Sequence, residues 1–237
     1  MKTFYCEQQS PEWWELHRGV PTAGSFDRII TPKKAQLSAG ADDLICELIA
    51  QRLTIGSIAP QQGFTSHAIQ HGIETEAEAR RWYEMERGLD VQQVGMCMTD
   101  DGRFGCSPDG LVNDDGGLEL KCPTLKTHVA YLRDGVLPAE YKPQVHGCLI
   151  VTGRLWWDFL SYAPGLDPLL VRVTPDEFTE KLRECLELFW ASYITVRSKI
   201  EKEGIDVNGK PTTSQTKRPD RAGYGVDRHA EDQADSG

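Results

Sequence analysis

The residues best able to do chemistry stand in two short runs, Ser107-Pro108-Asp109-Gly110 and Leu118-Glu119-Leu120-Lys121-Cys122-Pro123. In an extended strand alternate side chains share a face, so Glu119 and Lys121 point one way while Leu118, Leu120 and Cys122 point the other. The stretch Asn113-Asp114-Asp115-Gly116-Gly117 between them is hairpin turn chemistry, and a hairpin folds Asp109 back beside the pair. Two carboxylates converging on one point repel each other unless a cation lies between them, and hard oxygen ligands suit Mg²⁺ or Mn²⁺. An ion held there can polarise a phosphodiester oxygen and acidify a bound water, and Lys121 is placed to orient or deprotonate that nucleophile. The expected chemistry is phosphodiester hydrolysis. An acid-x-Lys pair on a strand is by itself most often a solvated face, and Asp-Gly alone is most often a turn. The combination points to a site: proline before the first acid, a separation of ten residues to the second, and an apolar-charged strand ending in Cys-Pro.

The elements that must position these residues are legible from periodicity. Ser10-Pro11-Glu12 supplies an N-cap and a first-turn proline for a short helix carrying Trp13, Trp14 and Leu16. Residues 41–53 place Leu44, Ile45, Leu48, Ile49 and Leu53 at helical spacing, and residues 66–87 do the same with Ile69, Ile73, Ala77 and Tyr83. From Val91 short runs broken by turn residues predict three consecutive strands over about 91–98, 103–112 and 117–122. Residues 140–152 read as a helix ended by Gly153, with Pro143 tolerable only in its first turn. Residues 154–163 and 169–173, rich in aromatic and branched side chains, complete the sheet. Thr174-Pro175-Asp176-Glu177 reads as a capping box for a long closing helix that stops at Gly204. Residues 1–204 are expected to form a single domain, and residues 205–237, poor in large apolar side chains, a disordered tail.

Composition narrows the class. At 237 residues, 39% hydrophobic and 26% charged, the chain is a globular protein with room for one sizeable core. No run approaches the length of a membrane span and the first residues lack the pattern of a signal peptide, so a cytoplasmic protein is expected. The seven cysteines include no C-x-x-C pair and most sit among apolar neighbours; they read as buried thiols, neither disulfides nor zinc ligands. The net charge of −10 means that a nucleic-acid partner would have to meet locally concentrated positive charge. The pairs Trp13-Trp14 and Trp156-Trp157 read as core before base platform, and Lys33-Lys34 as a solvated loop. No Gly-rich phosphate loop and no helical H-E-x-x-H occurs, so ATP-driven activity is not expected.

Residues 107–112 followed by 117–123 closely resemble the core of the lambda exonuclease and YqaJ-type viral recombinase family, a branch of the PD-(D/E)xK superfamily. Upstream, His71-Gly72-Ile73-Glu74-Thr75-Glu76 is similar to a family helix in which a Gly is followed four residues later by a Glu that approaches the metal site. That residue is Glu76, which from spacing alone reads as a solvated glutamate among Glu74, Glu78 and Glu84. Downstream, Tyr141 and Gln144 match the family's Y-x-x-Q helix, three apart on one face. Near the N-terminus residues 19–25, which include Thr22 and Ser25, resemble a G-x-x-T-A-S stretch. There the family's Arg, tied to the DNA 5′ end, is replaced by His17 with Arg18 beside it. The resemblance covers roughly residues 10–200.

What the resemblance implies is an α/β fold with a restriction-endonuclease-like core, its mixed central sheet flanked by helices. It implies Asp109, Glu119 and the Leu120 carbonyl as ligands of Mg²⁺, with Mn²⁺ as an alternative, Glu76 assisting, and Lys121, Gln144 and Tyr141 at the reaction centre. His17, Arg18, Thr22 and Ser25 would contact DNA. It further implies a 5′-to-3′ exonuclease on linear double-stranded DNA that leaves 3′ single strands for recombination, a ring-shaped homotrimer, and a single-strand annealing protein as partner. Two alternatives stand beside it: an endonuclease with the same catalytic core, and a DNA-binding or assembly module without catalysis. An unrelated α/β enzyme with an accidental motif is more remote.

Overall fold

A computed structural model of the chain describes residues 1–54, 56 and 67–202, without the side chains of 67–74 and 202. The expected tail over 205–237, the stop at Gly204 and the side chains of Ile69 and Ile73 lie outside the described residues. In chain order the elements are β1 (Lys2–Phe4), α1 (Pro11–His17), a 3-10 helix (Ala23–Arg28), α2 (Ala41–Leu53), α3 (His67–Arg87), β2 (Val91–Gln92), β3 (Met96–Met98), β4 (Gly105–Cys106), β5 (Gly110–Val112) and β6 (Gly116–Lys121). Then come α4 (Leu125–Asp134), a second 3-10 turn (Ala139–Tyr141), α5 (Lys142–Thr152), β7 (Trp156–Ser161), β8 (Leu169–Val173) and α6 (Glu177–Lys202).

The main sheet has the order β2-β5-β6-β7-β8. Its β6–β7 pair is parallel and the other pairs are antiparallel. A parallel pair needs a crossover, and α4 and α5 supply it. One face carries Val112, Leu118, Leu120 and Leu160 against Ala79 and Tyr83 of α3. The other carries Leu111, Trp157 and Phe159 against the larger core of α2, α5, α6 and the first 3-10 helix. The mixed sheet flanked by helices is the expected fold class, and Trp157 is fully buried in it. Among the described residues no helix is long and apolar enough to cross a membrane.

Three local readings change. The first two expected strands each break in two, and the pieces join different sheets: β3 and β4 form a small sheet with β1, in the order β1-β3-β4, while β2 and β5 join the main one. The break falls where chains cross closely. A Cβ at Gly95 would lie 2.6 Å from the Cys6 carbonyl oxygen, and Pro108 has no N–H to continue a ladder. Helix α4, which the sequence reading lacks, is capped by Thr124, whose side chain accepts from Thr127 N, and ended by left-handed Gly135. Helix α6 starts later than the expected box. Asp176 Oδ1 accepts from Phe178 N at 2.9 Å and Thr179 N at 3.2 Å, and Thr179 Oγ1 accepts from Asp176 N at 2.9 Å. The reciprocal cap is therefore Asp176 with Thr179, and Pro175 stays outside the helix. The cysteines are all free, and Cys46 departs from the expectation by being exposed.

Helix α5 presses close to the first 3-10 helix. A Cβ at Gly147 would lie 2.5 Å from Phe26 Cδ2 and 3.1 Å from the Ala23 methyl, and Phe26 is fully buried. Gly147→Ala is expected to cost about 1–3 kcal/mol through overpacking, seen as a Tm lower by about 2–10 °C in thermal unfolding. An unchanged Tm would mean that α5 can slide outward without cost.

Candidate active site

Strand β6 ends and β5 begins at the same end of the sheet, since Gly110 pairs with Leu118. This brings Asp109, Glu119 and Lys121 together. Asp109 Oδ2 accepts from Leu120 N at 2.6 Å, a charge-assisted bond that fixes the carboxylate against the Leu120 peptide. Glu119 is 1% exposed. Its Oε1 accepts from Lys121 Nζ and from Gln144 Nε2, the latter at 2.6 Å. Its Oε2 is buried with no hydrogen-bond partner. The strand face that alternation marks as polar is thus covered by α5, through Gln144.

The electrostatics follow from burial. Desolvation, followed by the Asp109 charge, pushes Glu119 up to about 8, although Lys121 pulls it down. Asp109 is raised by desolvation against the opposing pull of Lys121, the Leu120 N–H and Arg80. Glu76 on α3 opens to solvent, yet the surrounding protein raises its pKa and the Asp109 charge adds to this, with Arg80 and Lys121 opposing. Desolvation alone would lower Lys121, but Glu119 and Asp109 more than offset it and hold the ammonium well above its ordinary value. The charged form of Lys121 is thereby favoured beside the two carboxylates, with Glu119 Oε1 as its acceptor. The Tyr141 ring lies 5.3 Å from Lys121 Nζ and packs on Phe159, so it walls the ammonium on one side.

Arg80 belongs to this group and is absent from the sequence reading as a site residue. It lies one turn after Glu76 on α3, and that i, i+4 spacing is the signal that could have found it. Its guanidinium donates to the Asp109 carbonyl at 3.4 Å and, with the Gln93 amide oxygen turned toward it, to Gln93 at 2.8 and 3.2 Å. Gln8 is a second such residue: its Nε2 donates to the carbonyls of Val94 and Pro108, tying the N-terminal segment to the turn before Asp109.

A cleft of about 260 Å³ adjoins the carboxylates, lined by Gln8, Trp13, His17, Thr22, Ser107 and Gln144 among others. His17 Nδ1 lies 2.7 Å from the Trp13 carbonyl and Nε2 lies 3.1 Å from Ser107 Oγ. Arg18 points elsewhere: it pairs with Glu15 and donates to the carbonyls of Gln51, Thr54 and Gly56. Ser25 Oγ donates to the Thr22 carbonyl at 2.9 Å, closing its own 3-10 turn. Of the four residues expected to meet DNA, His17 and Thr22 line the cleft and Arg18 and Ser25 do not. A larger groove of about 690 Å³ near Phe104, Ile150 and Leu186 holds none of these groups.

Three carboxylates, two of them desolvated, face two cations, and one carboxylate oxygen is buried without a partner. A further cation would relieve that imbalance, and the all-oxygen donor set is the kind hard divalent ions take. Among the described residues no three His, Cys, Asp or Glu side chains stand close enough to hold an ion by themselves; a site here would rest on Asp109 and Glu119 with backbone oxygen.

A mixed sheet that ends in this acid and acid-x-Lys arrangement, covered by a Gln-bearing helix, defines the core of a restriction-endonuclease-like nuclease. The chain belongs to the YqaJ-like viral recombinase domain family, whose model matches residues 12–155. Among solved structures it is similar to an alkaline exonuclease, LHK-Exo, from Laribacter hongkongensis, with TM-score 0.69 and 30% identity over 82% of this chain and 97% of that one. The same exonuclease in complex with dAMP matches at 31% identity with the same coverage and TM-score. A phage-related exonuclease from Haemophilus somnus 129PT, at TM-score 0.54 and 15% identity over 76% of this chain and 96% of that one, shares the fold. No curated protein matches significantly. Family and neighbours together support a nuclease role.

Proposed function

We propose that the chain is a metal-dependent deoxyribonuclease that degrades linear double-stranded DNA from the 5′ end and leaves 3′ single strands for recombination by annealing. The observation that carries this reading is the buried Glu119 carboxylate, one oxygen without a partner, beside Asp109 and ion-paired to Lys121. Asp109, Glu119 and the Leu120 carbonyl would hold Mg²⁺, or Mn²⁺, with Glu76 assisting. The bound ion supplies positive charge that polarises the phosphodiester and acidifies water. Gln144 holds Glu119 in orientation by its 2.6 Å hydrogen bond. The Lys121 ammonium positions the attacking water and offsets charge that develops on the phosphate. Arg80 fixes the Asp109 backbone and tempers the charge between Glu76 and Asp109. The cleft that contains His17, Thr22 and Ser107 takes the strand end.

The exonuclease direction, the annealing partner and assembly as a homotrimeric ring are carried by resemblance to the family. A ring would let an acidic chain hold DNA, because its few basic groups need only line the channel. Exonuclease neighbours support action on DNA.

The test is incubation with Mg²⁺ of linear duplexes labelled at the 5′ or the 3′ end, beside a closed circle. Early release of 5′ label, retained 3′ label and an intact circle are expected. Nicking of the circle would make the enzyme an endonuclease; no metal-dependent cleavage of any substrate would leave a binding module.

A further inference from the structure

Asp109 stands where the backbone belongs to no ladder. Antiparallel pairing joins Val91 with Val112 and Gln92 with Leu111 in the main sheet, and resumes in the small one where Cys97 meets Cys106. Between these points the chain crosses from one sheet to the other twice, at residues 93–95 and at residues 107–109. Backbone carbonyls in such a gap lose their ladder partners and must find others, and Pro108 has no N–H with which to extend a ladder.

Gln8 fills the gap. Its side-chain amide carries two protons, and Nε2 donates to the Val94 carbonyl at 3.1 Å on one crossing and to the Pro108 carbonyl at 3.0 Å on the other. One side chain thus bridges both crossings. A peptide unit is planar, so pinning the Pro108 oxygen also orients the N–H and the Cα of Asp109. The acid is then held at two ends, its peptide by Gln8 and its carboxylate by the Leu120 N–H at 2.6 Å. The backbone accepts strain to place Gln8 there. Gln8 and Gln9 are the central residues of a turn closed by the Ser10 N–H on the Glu7 carbonyl at 3.2 Å, and Gln9 takes a left-handed φ of 66°, which glycine adopts more readily. Another side chain at that angle persists where the surrounding contacts over-determine it.

Taking the metal-dependent nuclease reading as given, we propose that Gln8 is a positioning residue for the reaction: by fixing the peptide between Pro108 and Asp109 it sets where the Asp109 carboxylate meets the divalent ion, and with it the affinity of the site for that ion.

The test is calorimetric titration of the folded, DNA-free protein with Mn²⁺, the native chain beside Gln8→Met, which keeps the length of the side chain and removes both donors. Loss of these neutral hydrogen bonds is expected to weaken Mn²⁺ binding by about three- to tenfold. Misplacement of the acid is expected to lower kcat on linear duplex DNA by about tenfold, with KM for DNA little changed. A merely structural role would lower the Tm and leave the affinity of the folded protein where it was. Mn²⁺ affinity within about twofold of native overturns the proposal; if KM for DNA then rises, Gln8, which also lines the cleft, is a DNA contact instead. Should Gln8→Met unfold, Gln8→Asn is read in the same way, since its amide is too short to span both carbonyls. A native protein that neither binds Mn²⁺ nor cleaves any duplex overturns the metal-dependent reading and the proposal together.

Discussion

Lys121→Ala is expected to lower Mg²⁺-dependent cleavage of linear duplex DNA by about a thousandfold, the scale of a lost positioned donor or charge stabiliser. The variant is expected to remain folded, because Lys121 is partly solvent-exposed and ends β6 without filling a core. Its distinguishing feature is that metal binding survives. Asp109 and Glu119 remain, and the ammonium that competes for Glu119 Oε1 is gone. Calorimetric titration with Mn²⁺ should therefore show binding at least as tight as in the native protein. Lys121 also pulls the Glu119 pKa down, so its removal lets that pKa rise further and shifts any residual rate to more alkaline pH. A variant that cleaves within about tenfold of the native rate would remove Lys121 from the chemistry altogether.

Glu119→Gln is expected to abolish both cleavage and metal binding, and yet to stabilise the metal-free protein at pH 8. The sign follows from linkage. The Glu119 pKa is raised from 4.5 to about 8 in the fold, so the folded state binds more protons than the unfolded state between those values. Its contribution to stability is fully present below 4.5 and is lost as pH rises through about 8. In EDTA the native Tm should consequently fall across that window, and metal should restore it by compensating the buried charge. Gln at this position has the shape of the protonated acid, still accepts from Gln144, and never ionises. Its Tm in EDTA at pH 8 is expected to exceed the native value by about 3–10 °C, with a flatter pH dependence. A lower Tm for the variant would mean that the Lys121 ion pair outweighs the desolvation of Glu119 and that the charge imbalance of the site is not stored there.

The two variants lose activity for different reasons, which calorimetry and thermal unfolding separate even though a cleavage assay does not. The same distinction runs through what could be read without the structure. Asp109, Glu119 and Lys121 were legible because strand alternation and a tight hairpin are local: a two-residue period and a turn fix which side chains share a face wherever the strand lies. Helices α2 and α5 and strand β8 were legible for the same reason, each carrying its pattern within its own length. Helix α4 was overlooked because the run after Cys122-Pro123 buries only His128 and Tyr131, too few positions to stand out as a face.

By itself, then, the sequence determined the acid and acid-x-Lys pattern, the helices and strands with strong periodicity, and through its motifs the family. Tertiary structure decided the rest, and each case turns on partners distant along the chain. Glu119 became a buried carboxylate with one orphaned oxygen because α5, twenty-five residues later, brings Gln144 over it. The expected three-strand meander was split between two sheets because the chain at Cys6 and β1 occupies the space beside Gly95 and β3. Arg18 turns away from the cleft because carbonyls of Gln51, Thr54 and Gly56 satisfy its guanidinium, and His17 lines the cleft because the Trp13 carbonyl and Ser107 Oγ hold its ring there. Periodicity reports which face a side chain takes; competition for hydrogen bonds and for space, settled only on packing, decides what that face meets.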